Sequence, residues 1–332
     1  MKKERSHAFD ALCGLCIVRM IMLHITNLCG FSNESWWQTI MDWTYFFIPF
    51  FFFKAGYFNK SVGGNTVEYI CGKAKRLLIP YMAWGLIGNA LYFFFAFVVF
   101  SERHYTRKSL SLSHLWGDGG FYGNPPCWFL LSFFMAYVVS HLLHKSKLSF
   151  VSFLFPVVGY VLYKYGISFP FGLENVFLGV FFFCLGKMWR SIVALLPSRA
   201  TMLLSSLLLA GFVATALIGT GQYVMSRNEW IGNPLLIILS SVFAVCGLSG
   251  LMQNVFTRPF PVIGYIGRHS MVYFVVHYPL LFLYSFIRSA SVHTVREQWD
   301  DYALMTIFTF CISTWLVPYV ERVPWMSGRY KN

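Results

Sequence analysis

The sequence predicts an all-α protein, a polytopic integral membrane bundle of about ten transmembrane helices, and three observations carry that prediction. Of the 332 residues, 57% are hydrophobic and only 12% charged, with a mean hydropathy of +0.58. A soluble domain has about 45–50% apolar and about 25% charged residues. The apolar residues also form long unbroken runs, where a membrane β-barrel would alternate over about 10 residues. The basic residues, finally, gather in alternate connections. This composition excludes a soluble enzyme, a disordered chain and a nucleic-acid-binding module. The net charge of +13 would point to nucleic acid in a soluble protein; here it reports orientation in a bilayer.

A spanning helix needs about 20 mainly apolar residues. Such runs occupy 8–30, 36–58, 77–100, 127–144, 148–165, 171–189, 201–220, 233–252, 264–288 and 302–320. The first follows Lys2, Lys3 and Arg5. Asp10 interrupts its approach and no small-residue cleavage site ends a short apolar core, so the run reads as a retained anchor. The 36 Phe residues and the 20% aromatic share suit lipid-facing and inter-helix packing. Between the third and fourth runs lies the longest outer loop, about 101–126, where Gly117–Gly120 and Pro125-Pro126 end helices. It is long enough to fold over the outer face as a lid or substrate platform. The other connections are short, which places successive helices side by side.

Cytoplasmic loops retain positive charge. With the N-terminus inside, the inner segments collect most of the Lys and Arg, and the acidic residues lean outward, among them Glu34, Asp118, Glu174, Asp300 and Asp301. Both termini are therefore expected to be cytoplasmic. The eight cysteines fall mostly within the runs, which argues against a disulfide framework. Cys13-Gly-Leu-Cys16 has a redox-motif spacing but opens an apolar helix without a thioredoxin-like strand. No internal repeat is visible, and residues 1–332 read as a single membrane domain.

Ionisable groups inside a membrane cost at least about 2.5–3.5 kcal/mol at its centre, so each is a functional candidate. Counting at 1.5 Å per residue from Asp10, Arg19 lies about 13 Å and His24 about 21 Å above the inner boundary. A neutral histidine bonded to a neighbouring helix is the plain explanation of His24. Asp42 falls near the outer end of the second run, where it reads as an interfacial residue. Lys54 falls near its inner end, where it can snorkel to the cytoplasm. Arg19 is far from either surface and requires a partner or a wet cavity. One polar cavity shared by Arg19, His24, Asp42 and Lys54 would satisfy all four. Lys73, Lys75 and Arg76 stand at the inner entrance of the third run, either as a positive-inside anchor or as a clamp for a phosphorylated ligand. His277, nine residues after Arg268 and so about 13 Å deep, is a second buried histidine available to the cavity.

Several stretches, in order, resemble the family-3 membrane acyltransferases. Phe9-Asp10-Ala11-Leu12-Cys13-Gly14, continued through Ile17–Leu23 to His24, resembles the family's first helix. Tyr45–Phe58 resembles its aromatic second helix, with Ala55 replacing the serine of a Ser-Gly-Tyr/Phe element. Lys73–Trp84 resembles its basic, proline-bearing third-helix entrance, and Cys127–Leu131 its Trp-Phe-Leu helix start. Phe181–Gly186 and Ile266–Leu280 resemble the later elements, the last with a Tyr-x-x-x-His spacing at Tyr273 and His277. The individual motifs are short and apolar; their joint order is specific.

The resemblance implies about ten membrane helices and transfer of an acyl group to a hydroxyl of a cell-surface polysaccharide or lipid-linked glycan. The donor implied is acetyl-CoA or another acyl-CoA, without a metal. The partners implied are that donor, the glycan acceptor, the lipid bilayer and glycan-assembly machinery, and the location is the inner or plasma membrane. An extra extracytoplasmic esterase-like domain, present in some members, is not expected. An acceptor hydroxyl needs a base, and imidazole, with its reference pKa of about 6.5, suits that task. His24 is thus the expected catalytic residue, as base or as transient acyl carrier. Arg19, Lys54, Lys73, Lys75 and Arg76 are expected to bind acyl-CoA; Asp42, Trp128, Tyr273 and His277 are expected to bind the acceptor or line the cavity. One departure matters: the family places Arg or Lys eleven residues before the histidine, and this chain has Cys13. A thiol cannot replace a cation, so Lys54, with Arg19, is expected to supply the missing charge. The competing readings are a transporter or exporter, to which the lack of repeats is unfavourable, a catalytically degenerate family member, and a structural partner of polysaccharide assembly.

Overall fold

The computed structural model describes residues 6–59, 65–99, 112–219, 221–255, 258, 260–291 and 298–330. Lys2, Lys3, Arg5 and the first half of the expected 101–126 loop lie outside the described residues. The described chain is a membrane helical bundle with a single two-stranded hairpin, and eight of its helices are long and apolar enough to cross a bilayer.

Helix α1 (His7–Leu28) begins where the Ser6 side chain accepts a hydrogen bond from the Phe9 N–H and Asp10 lies in the first turn, two features that favour a helix N-terminus. It is buried around most of its circumference, as befits a helix at the centre of a bundle. The expected span 36–58 is two helices, α2 (Ser35–Thr44) and α3 (Phe47–Phe58). Pro49 explains the break, since it cannot donate to the Tyr45 carbonyl and its ring crowds that oxygen. The Tyr45 hydroxyl then fastens the break by donating to the Ile237 carbonyl (2.9 Å). Helix α4 (Thr66–Phe93) continues into a π-helical stretch, Phe94–Val99.

Residues 112–126 form the short α5 (Ser113–Asp118) and then a segment that enters the bundle between α4 and a later helix. Gly85 and Gly88 of α4 make room for Phe121 and Gly123, where an added Cβ would overlap them. Helix α6 (Trp128–Lys145) follows. The expected span 148–165 consists of a 3-10 stretch, Ser149–Leu154, running into α7 (Phe155–Lys164). The faster rise of the 3-10 turn makes this pair about 27 Å long, close to the hydrocarbon thickness of about 30 Å.

Helix α8 (Val176–Leu195) packs on α3 almost backbone to backbone: a Cβ on Gly56 would overlap the Phe183 carbonyl, and one on Gly186 the Phe53 carbonyl. Small residues permit such approaches in membrane bundles. Helices α9 (Ser198–Ile218) and α10 (Pro234–Val255) form a second close pair, joined by the hairpin β1 (Gly221–Val224) and β2 (Glu229–Gly232), in which Tyr223 pairs with Trp230. These strands are not expected from the sequence, because each one is only four residues long and offers almost no alternation to read. Helix α11 (Pro261–Arg268) packs against α1 and leads into α12 (Ser270–Ser291). Helix α13 (Gln298–Arg322) and the short α14 (Pro324–Ser327) complete the order.

Candidate active site

The site begins with glycines. A Cβ on Gly14 would overlap the Ile263 carbonyl and one on Gly267 the Asp10 carbonyl, so α11 presses against the N-terminal half of α1. The chain then turns into α12, which lies along the rest of α1 and brings His277 to His24. Their ring centroids are 5.3 Å apart, and Tyr278 meets the His24 ring edge-on at 5.1 Å. A proline shapes the same helix: Pro279 leaves the Val275 carbonyl without its helical donor, and the buried Asn124 amide supplies one at 2.9 Å. That bond draws residues 119–126 into the bundle and fixes the start of α6.

These elements enclose a cavity of about 230 Å³. Its walls are Ile17, Met20, Leu23 and His24 of α1, Phe47, Ile48 and Phe51 of α3, Leu77, Pro126, Trp128–Leu130 and Phe133, Ser226 of the hairpin, and Ser270, Met271 and Phe274 of α12. Apart from His24 and the two serines the lining is almost wholly apolar. No protein group bonds the ring nitrogens of His24 among the described residues, so the imidazole is available to a guest. The volume is below the roughly 300–1,000 Å³ of a drug-sized site; it fits an acyl group with the end of its carrier, not a whole nucleotide.

The shared polar cavity expected for Arg19, His24, Asp42 and Lys54 is not formed. His24 lines the cavity. Arg19 is buried behind it, with Nε donating to Thr44 Oγ1 (2.5 Å), Nη2 reaching Met41 Sδ (2.7 Å), and the guanidinium over the rings of Trp37 and Phe47 at 5.0 and 4.6 Å. Its Nη1 has no partner among the described residues. Asp42 points away and accepts from Gln222 of the hairpin at 2.8 Å. The reason is helix periodicity: Trp37, Met41 and Thr44 share the face of α2 that meets Arg19, while Asp42, about 100° round the helix from Met41, faces the hairpin. Lys54 lies one turn beyond the cavity residue Phe51, within electrostatic reach of Cys16, as is Cys13. The lysine is therefore close to the depth at which the expected cation is missing.

Of the remaining expected residues, Trp128 lines the cavity. Tyr273 does not: its hydroxyl shares a 2.7 Å hydrogen bond with Thr314 and ties α12 to α13. His277 is fully buried behind His24. Lys73 holds its ammonium 3.7 Å from the centre of the Tyr137 ring. Lys75 lines a shallow apolar groove with Trp325 on the bundle's flank, and Arg76 is exposed.

Two features escaped the sequence analysis. At the end of the bundle bearing Lys73 and Arg76, a groove of about 490 Å³ is lined by Gly56, Asn59, His144, Lys187, Arg190, Ser191 and Ala194; it has three basic groups and no carboxylate. The spacing Lys187-x-x-Arg190, which puts both on one helix face, was the available signal. At the other end, Asn228 locks the hairpin: Oδ1 accepts from the Tyr223 hydroxyl (2.8 Å) and the Trp230 indole (3.2 Å), and Nδ2 donates to the Gly159 carbonyl (2.8 Å). Burial, and then Glu174, push the Tyr223 phenol up, so it remains a donor. The hairpin holds Ser226 at the cavity. Among the described residues no disulfide joins the cysteines, and no three or more His, Cys, Asp or Glu converge as metal ligands.

A family model described as an acyltransferase domain, acyltransferase family 3, matches residues 6–317. No curated protein and no solved structure gives a significant match. The match runs from the cap of α1 to within α13 and takes in every wall of the cavity: the chain belongs to the family-3 acyltransferases and is a multi-pass membrane acyltransferase.

Proposed function

We propose that the protein moves an acyl group, acetyl from acetyl-CoA, to a hydroxyl of a cell-surface polysaccharide or lipid-linked glycan, with His24 as base or transient acyl carrier. One observation carries this reading: an imidazole with no protein partner on its nitrogens among the described residues faces a cavity that is apolar but for two serines. A hydroxyl cannot attack a thioester efficiently with its proton in place. In the direct route His24 takes that proton as the new C–O bond forms, the C–S bond breaks, and the leaving thiolate is protonated. In the carrier route the imidazole nitrogen takes the acyl group as the C–S bond breaks and the CoA thiolate leaves, then yields it to the acceptor oxygen, whose proton ends on the thiolate. Apolar walls keep water from competing for the acyl group.

The positive-inside distribution supports cytoplasmic termini and a cytoplasmic basic end. Donor phosphates would gather there, at Lys73 and Arg76 and in the groove of His144, Lys187 and Arg190, while Lys54 steers the thioester arm outward. The acceptor would approach past Trp128 and Ser226, in the plasma or inner membrane, with glycan-assembly machinery as a natural neighbour. Cys13 favours one further reading, a degenerate member that binds donor without turnover. The test is acyl transfer by purified protein in nanodiscs with acetyl-CoA and a glycan acceptor, read as acceptor-dependent release of CoA. Release that vanishes in His24→Ala supports the proposal; full activity of that variant refutes the role of His24, and absence of release in the wild-type protein supports the degenerate reading.

A further inference from the structure

We propose that His277 is a positioning residue that fixes the tautomer of His24; this rests on the acyl-transfer reading and concerns how its base is held. Nδ1 of His277 lies 2.7 Å from the carbonyl oxygen of Phe274 and 3.2 Å from that of Tyr273. Carbonyls only accept, so Nδ1 carries the hydrogen, and in the neutral ring Nε2 keeps its lone pair. That Nε2 is buried and has no partner among the described residues. A buried acceptor left unpaired is costly, so this ring calls for a donor.

His24 is placed to be that donor. Two imidazoles joined by an N–H···N bond of about 3 Å have centroids about 5 Å apart. The observed separation is 5.3 Å with the rings tilted by only 32°, so a turn of His24 about its side-chain torsions closes the bond. The other groups facing the pair compete poorly. Tyr278 meets both rings edge-on, and Arg19, within electrostatic reach of His24, has Nε and Nη2 engaged by Thr44 and Met41 and its guanidinium stacked over Trp37 and Phe47, leaving Nη1 alone unpaired among the described residues. With one nitrogen donating to His277, the other keeps its lone pair for the cavity. During transfer that nitrogen takes the acceptor's proton, and the imidazolium formed is held by a neutral ring instead of a carboxylate.

The test uses full-length protein in nanodiscs, with donor kinetics and ring-nitrogen NMR of histidine-labelled protein; the His24 signals are those lost in His24→Ala. His277→Phe keeps a ring without an acceptor, and His277→Gln restores an acceptor. The expected result is a fall in kcat of about 10²-fold in His277→Phe, with the KM for acyl-CoA unchanged and the His24 signals shifted from one tautomer to a mixture. His277→Gln is expected to recover at least about tenfold of that loss and the single tautomer. A normal rate in His277→Phe, a loss without tautomer change, or a Gln variant no better than Phe overturns the proposal. Should the Phe variant fail to fold, the tautomer in the Gln variant decides: a single form upholds the dyad, and a mixture overturns it. Transfer that persists in His24→Ala defeats the underlying acyl-transfer role of His24, whereas the NMR tests the pair irrespective of turnover.

Discussion

The contact between α1 and the α11–α12 pair resembles the contact between α9 and α10 in construction and differs in contents. Both rely on glycine. Gly14 and Gly267 admit a neighbouring backbone in the first, and Gly247 and Gly250 admit Leu209 and Ser205 in the second. Both bury hydroxyls or ring nitrogens that have no partner among the described residues: His277 Nε2 in one, Ser205 and Ser240 Oγ in the other. Only the first borders the cavity, and only there does an unpaired atom face another titratable ring. Close helix packing is thus a general device of this fold, and chemistry arises where the packing stops short of closing.

Substitutions paired across the two contacts test that distinction. The largest effect is expected from His24→Ala, which should lower transfer by about 10²–10⁴-fold, measured as acceptor-dependent CoA release. Lys54→Ala should come next, raising the KM for acyl-CoA by about 10–100-fold, as befits loss of a hydrogen bond to a charged group, while Lys54→Arg preserves most of the affinity; unchanged donor affinity in Lys54→Ala would remove the compensation for Cys13. Gly267→Ala should cost about 2–3 kcal/mol, because its methyl meets a main-chain carbonyl, and Gly250→Ala about 1 kcal/mol, because a serine side chain can turn aside. Thermal unfolding in nanodiscs reads both costs. Turnover per folded molecule should fall in Gly267→Ala alone, and an equal fall in Gly250→Ala would erase the contrast between the contacts. The smallest effect is expected for Ser205→Ala, within about 0.5 kcal/mol and in the stabilising direction, since it removes a buried hydroxyl that bonds nothing.

Much of the architecture could be read from residue order alone, because a bilayer imposes length and hydropathy on each crossing. What escaped reading is local or lateral. The break at Tyr45–Phe46 follows from Pro49, whose effect depends on the carbonyl four residues earlier and is hidden by the aromatic run. Depth counting set His24 and His277 at different levels, since it takes no account of how one helix tilts against another. It could not reveal that Gly267 sets α11 on Asp10 and so leads α12 to His24. Asp42 and Arg19 are both charged and lie in one region, but α2 meets Arg19 with the face of Trp37, Met41 and Thr44 and shows Asp42 to the hairpin on another. Pro279 and Asn124 are far apart in sequence, and nothing in either segment announces that one frees the oxygen the other caps.

The guanidinium of Arg19 is held by a hydroxyl, a thioether and two aromatic faces, with no opposite charge among the described residues to neutralise it. A chain selected for durability alone would place a methionine there, because exchanging a buried ion for an apolar side chain of similar size is often neutral or favourable. Arg19→Met should accordingly withstand higher temperatures than the parent while transferring less. Heat resistance and turnover would then move in opposite directions at one position, marking the arginine as a residue kept for the reaction at the expense of robustness.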